Sequence, residues 1–214
     1  MQVTTLKGRL GAGALGVALL LGGCATAVVD PGQHVPAPEG TVLTYHRVSS
    51  GSLGNFDGPV PWTLRKGPWQ GREALISSSQ LGATVFDLET GLQLGTLDNQ
   101  GRPAMVFEPP LGFRYPLQVG NAWTDQHTVT LPQRSATRPL TVNYKIEAYE
   151  DVTVPAGSFK AFRVYATDST GEVTTIWTAP SLSLNVIKRI QDRPASHPQG
   201  AGHLQGELIS VQKP

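Results

Sequence analysis

From Leu140 to Tyr149 the chain alternates: Leu140, Val142, Tyr144, Ile146 and Ala148 share one side of the pattern, and Thr141, Asn143, Lys145, Glu147 and Tyr149 share the other. A period of two sets five less polar side chains on one face of an extended strand and leaves the other face to water. The same habit recurs in short β-rich runs at 42–48, 84–88, 92–97, 103–107, 122–130, 159–167, 172–178, 182–190 and 204–211. No helical period of 10 to 15 residues lies between these runs, as βαβ units would require. With 24 glycines and 17 prolines in 214 residues, turns are frequent and a helical bundle is excluded. The chain therefore reads as all-β: one antiparallel, multi-stranded sheet domain over residues 41–212, half-solvated, in the form of an open half-barrel or a sandwich.

Turn chemistry divides the runs. Glu89-Thr90-Gly91 reads as a hairpin loop and Asp98 to Gly101 as a second turn, whereas Glu108-Pro109-Pro110-Leu111-Gly112 is expected to break the ladder and send the chain across. Pro59 to Trp69, rich in Pro and Gly, reads as a poorly buried stretch. The segment from Asp192 to Gly202, with Pro194, Pro198 and Gly200, reads as a mobile loop between the last two strands.

The first residues carry Lys7 and Arg9 with no acid before Asp30, then an apolar run from Leu10 to Leu21 and the small residues Gly22 and Gly23. That is the layout of a secretory signal peptide. Twelve apolar residues as a helix span about 18 Å, short of a hydrocarbon core of about 30 Å. Leu21-Gly22-Gly23-Cys24 resembles the bacterial lipobox, and Cys24 is the only cysteine. Residues 1–23 are thus expected to be a lipoprotein signal peptide, Cys24 the site of lipidation by acyl chains such as palmitate, and 24–40, with three prolines, a flexible tether. Loss of Lys7 and Arg9 takes the net charge from +1 to −1, so acyl chains, at about 0.8 kcal/mol per buried methylene, supply the membrane affinity without a basic patch. Ala25 follows the cysteine where the lipoprotein sorting rule places Asp for inner-membrane retention. The resemblance therefore implies an exported, lipid-anchored protein on the periplasmic face of the outer membrane.

Four segments of the second half, Tyr115-Pro116-Leu117-Gln118-Val119-Gly120-Asn121-Ala122-Trp123, Val152 to Lys160, Trp177-Thr178-Ala179-Pro180 and Val186-Ile187-Lys188, together resemble the DUF 3108-like group of periplasmic and lipoprotein β-domains. The activity of that group is not established. The resemblance implies an exported β-domain and assigns no catalytic residue.

The chemistry-bearing motifs are sparse. No Gly-x-Ser-x-Gly elbow, His-Glu-x-x-His, phosphate loop or Cys-x-x-Cys pair occurs, and a chance trio such as Ser158, His127 and Asp168 has no spacing that argues for a triad. His197 and His203 are the only candidate metal pair, without the further ligands a structural zinc wants. No cofactor is expected, and a net charge of +1 without a Lys/Arg cluster argues against nucleic acid. The four tryptophans, Trp62, Trp69, Trp123 and Trp177, are the candidates for an apolar-ligand or partner surface, with Trp62 and Trp69 the more exposed pair. Trp177 is expected to end a strand with its ring on the sheet's buried side. The order of expectation is a non-catalytic binding or assembly module held at the membrane by its N-terminal lipid and meeting an envelope protein, then a carrier of a hydrophobic ligand in a β half-barrel, then a hydrolase.

Overall fold

A computed structural model describes residues 1–2 and 30–214; the apolar run, the lipobox and Cys24 lie outside the described residues. The described chain forms twelve strands: β1 (Val42–Gly51), β2 (Phe56–Trp69), β3 (Arg72–Ser79), β4 (Gly82–Phe86), β5 (Gln93–Leu97), β6 (Pro103–Leu111), β7 (Ala122–Leu131), β8 (Ala136–Val154), β9 (Gly157–Asp168), β10 (Val173–Ala179), β11 (Leu184–Arg193) and β12 (Gly202–Gln212). Two single 3₁₀ turns, Pro132–Arg134 and Pro180–Leu182, are the only helical elements among the described residues.

The sheet is antiparallel and single, as expected, but it is neither open nor a sandwich. Each strand pairs with its neighbours in the chain, and β1 pairs with β12 from Val42↔Gln212 to Gly51↔Gly202, which closes a twelve-stranded barrel. Closure leaves no strand without a partner on either side, which removes the edge an open half-barrel would present to other chains. Alternation is preserved on both sides of the wall. Leu140, Val142, Tyr144 and Ile146 are buried inside, while Thr141, Asn143, Lys145 and Glu147 face out. That outer polarity is the reverse of a lipid-facing barrel.

Pro59–Trp69 is not a loop but most of β2, and β3 after it was not legible as a strand either. Its prolines sit where the strand has one partner. Residues 56–63 of β2 pair with β1 and residues 63–69 with β3, so Pro59, Pro61 and Pro68 each lie beside an unpaired margin. A proline is tolerated there because no ladder hydrogen bond is lost. Glu108 to Leu111 likewise continue β6 instead of ending it, and 112–121 is a loop to the adjacent β7, not a crossover.

Because successive strands run up and down, 70–71, 87–92, 112–121, 155–156 and 180–183 gather at one mouth of the barrel and 52–55, 80–81, 98–102, 132–135, 169–172 and 194–201 at the other. The first mouth is covered twice. The β8–β9 hairpin, turning at Gly157 with φ 132°, folds its tip inward: Ala156 N–H donates to Leu208 O at 3.0 Å, and Val152, Val154 and Ala161 pack on Leu43, Ile187 and Leu208. Residues 30–40, expected as tether, are bound across the same mouth. Leu117 N–H donates to Gly32 O at 2.8 Å, Val35 N–H to Pro180 O at 3.0 Å and Gly40 N–H to Leu64 O at 2.8 Å.

Candidate functional site

Inward positions of all twelve strands would fill a narrower barrel with side chains, but here they leave a cavity of about 560 Å³, within the 300–1,000 Å³ of ordinary small-molecule sites. Its two halves differ. One wall is apolar, built from Trp62, Leu75, Phe86, Met105, Phe107, Phe113, Val129 and Val142 on β2 to β8 and the loop after β6. Phe113 meets Tyr144 edge to face with ring centroids 6.0 Å apart, which stiffens that wall. The other wall is polar and comes mainly from β1, β9–β11 and the second mouth: Tyr45, Arg47, Asp168, Glu172, Asn185, Arg189, Gln191 and Arg193.

Each acid of the polar wall has a partner on one of its oxygens. Arg193 Nε donates to Glu172 Oε2 at 2.6 Å, with both side chains 16% exposed. Asp168 Oδ1 accepts from the Thr170 hydroxyl at 2.5 Å, from Thr170 N–H at 2.8 Å and from Glu172 N–H at 3.1 Å. Arg47 donates to neutral oxygens, Ser49 Oγ at 3.1 Å and Leu53 O at 2.7 Å. Arg189 makes no hydrogen bond or ion pair with any described residue, and its Nε is buried without a partner. Burial pushes its guanidinium below the ordinary value, Glu172 opposes this, and Arg47 and Arg193 add to it. Arg138, on the inner side of β8, also has a buried Nε without a partner. The lining thus holds four arginines against two carboxylates. Asn185 Oδ1 is a further unpaired buried atom, while Tyr45 donates to Val186 O at 2.9 Å and burial raises its phenol.

The tryptophans do not form one surface. Trp62 lines the cavity. Trp69, expected to be among the more exposed, is 3% exposed and packs with Ala74, Val85 and Leu94; the β2–β3 pairing draws it into the wall. Trp123 stacks on Tyr144 at 5.0 Å and donates to Asp125 Oδ2 at 3.0 Å. Trp177 lies near the end of β10, as expected, but the cavity-facing residues of that strand are Thr174 and Ile176, so its ring takes the opposite side. There it is half-buried, donates to Glu150 Oε1 at 2.8 Å and lies beneath the Lys188 ammonium at 5.7 Å.

The polar candidates separate as well. His197 Nδ1 accepts from Gln199 N–H at 3.1 Å at the cavity edge, whereas His203 Nδ1 meets Asp192 Oδ1 at 2.7 Å on exposed side chains. The 194–201 loop thereby turns a buried His197 toward the barrel. Among the described residues no group of three or more His, Cys, Asp or Glu could hold a metal ion. Ser158 bonds Thr153, His127 bonds Pro109 O and Asp168 bonds Thr170, so the trio Ser158, His127 and Asp168 is not a catalytic unit. The residues that sequence reasoning missed are the arginines. In the sequence, Arg189, Gln191 and Arg193 alternate like a solvated face, and only closure shows that this face points inward.

No family model and no curated protein matches the chain, so the likeness to the DUF 3108-like group rests on its motifs alone. Among solved structures, an exported protein with a YmcC-like fold from Bacteroides fragilis is 12% identical, covering 84% of this chain and 99% of that one at a TM-score of 0.47. A lipoprotein from Parabacteroides distasonis is 10% identical, with coverage of 83% and 97% and a TM-score of 0.44. The hypothetical lipoprotein YmcC from Escherichia coli is 13% identical, with coverage of 85% and 90% and a TM-score of 0.41. None of the three lends a residue role to this chain.

Proposed function

We propose that this chain is an exported, non-catalytic binding module, anchored through Cys24 to the periplasmic face of the outer membrane, that carries a hydrophobic ligand inside its barrel. The carrying observation is the cavity of about 560 Å³ with its largely apolar wall on β2 to β8. The anchor rests on the lipobox-like Leu21-Gly22-Gly23-Cys24. An interior ligand now ranks ahead of the docking of an envelope protein on exposed tryptophans. Trp69 is buried, Trp62 faces the cavity, and Val48, Leu81, Val119 and Leu182, exposed among the described residues, stand singly on separate elements.

The test fills the cavity. Ala166 lines it from β9, and Ala166→Trp should displace a ligand while leaving the outer face unchanged. Titration with the neutral fluorophore N-phenyl-1-naphthylamine should give saturable binding to the wild-type chain and at least a tenfold weaker signal for the variant. Equal binding to both, with both folded, would place the probe elsewhere and end the carrier reading.

A further inference from the structure

The apolar wall explains why a hydrophobic molecule would enter, but not why the opposite wall keeps a guanidinium without a partner. A charge taken out of water normally recovers its hydration through a counter-ion or a full set of hydrogen bonds, and charged residues deep inside proteins are nearly always paired. Arg189 has neither among the described residues. The acids of the same wall are bonded elsewhere, Glu172 Oε2 to Arg193 and Asp168 Oδ1 to Thr170, and neither forms an ion pair with Arg189. Arg47, which bonds only neutral oxygens, brings a second positive charge to the same wall. Ordinary core packing would have placed an aliphatic side chain at position 189.

We infer that Arg189, assisted by Arg47, holds the compact anionic head of a single-chain amphiphile whose tail lies along Phe86, Phe107 and Val129. This rests on the carrier reading and specifies its ligand. The guanidinium presents donors in a planar fork that matches a carboxylate or a phosphate, and a low-dielectric site strengthens the charge-assisted bonds. Size limits the tail. At about 30 Å³ per methylene, taken from the share of liquid volume of a water, a chain of about 16 carbons fits in 560 Å³ and two such chains do not. The size therefore favours a single-chain ligand, a fatty acid or a monoalkyl phosphate, over a diacyl phospholipid.

The full chain, purified as the cell produces it, is titrated with palmitate, monohexadecyl phosphate and hexadecanol, each delivered on cyclodextrin and read by displacement of N-phenyl-1-naphthylamine. At least one anionic ligand should bind about 10- to 100-fold more tightly than the alcohol, the range that one or two charge-assisted hydrogen bonds supply. Whichever of palmitate and the phosphate binds more tightly identifies the head. Arg189→Met should abolish the preference, leave hexadecanol binding unchanged, and melt no lower than the wild type, because it removes an unpaired charge. Equal affinity of wild type for all three ligands, or an anion preference that survives in the folded Arg189→Met chain, would overturn the assignment of Arg189 while leaving the carrier reading intact. Failure of all three ligands and of the fluorophore would overturn both. If Arg189→Met does not fold, Arg189→Gln takes its place, with loss of the anion preference supporting the assignment and its survival overturning it.

Discussion

At the scale of single residues, the same side-chain type has opposite fates according to which face of a strand it occupies. Arg163, on the outer side of β9, bridges Glu147 and Glu150 at 3.3 Å, and such partly exposed pairs contribute little. Arg189 faces the cavity alone. Trp177 shows the same dependence on face. Had its ring been wholly buried in the core, Trp177→Ala would cost about 3 to 5 kcal/mol. Since it is half-buried on the outer side and bonded to Glu150, the loss expected is about 1 to 3 kcal/mol, from partial burial and one charge-assisted hydrogen bond. Chemical denaturation should show this as a lowered midpoint, and a fatty acid should shift wild type and variant alike, because Trp177 does not line the cavity.

At the scale of elements, the two covers of the first mouth differ in how firmly they are held. The β8–β9 tip is a continuation of two strands and buries Val152, Val154 and Ala161. The 30–40 segment is held by backbone hydrogen bonds, by Lys66 N–H donating to Glu39 Oε1 at 3.1 Å and Ser183 Oγ to Pro36 O at 3.3 Å, and by the close approach of Gly32 to Leu117 and of the His34 ring to Gly91. His34 lies within it, its ring 5.0 Å from that of Tyr115, and burial lowers its pKa below the ordinary 6.5. The released segment therefore binds protons more readily than the docked one. The contribution of His34 to docking is fully present above pH 6.5 and is lost as pH falls from 6.5 through the lower docked value. Hydrogen exchange at the Val35 amide, which donates to Pro180 O, should show a protection factor that drops between pH 7.5 and 5. His34→Phe should flatten that dependence; an unchanged drop in the variant would assign it to another group.

At the scale of the whole molecule, closure decides what the protein can hold. Pairing of β1 with β12 turns a meander into a closed barrel around the cavity. The 30–40 segment, which follows the lipobox-like Leu21-Gly22-Gly23-Cys24, ends at the first mouth. Fully extended, the chain from Cys24 to Asp30 reaches about 20 Å at 3.3 to 3.6 Å per residue, so a lipid on Cys24 would keep that mouth close to the membrane. Metabolic labelling with radiolabelled palmitate should mark the wild-type chain and not Cys24→Ser. Equal labelling of the two would remove the anchor from this account.

Much of this architecture was legible in the residues one at a time. Period-two alternation at 140–149 predicted both a strand and its buried face, and Glu89-Thr90-Gly91 announced the turn between β4 and β5, because strand periodicity and turn dihedrals are local properties. Prolines misled where locality fails: Pro59 and Pro61 are compatible with a strand only because β2 exchanges partners at Thr63, and no run of residues records which of its neighbours has a partner. The site was the least legible part. Alternation states that Arg189 and Gln191 share a face but not whether that face meets water or a cavity, and the sign of that choice is set by the closing pair Val42↔Gln212 to Gly51↔Gly202, between residues at opposite ends of the domain. The local pattern determined a β-meander with one apolar face; only the tertiary structure decided that the meander closes, because closure is a long-range pairing of backbone edges that carry no side-chain signature.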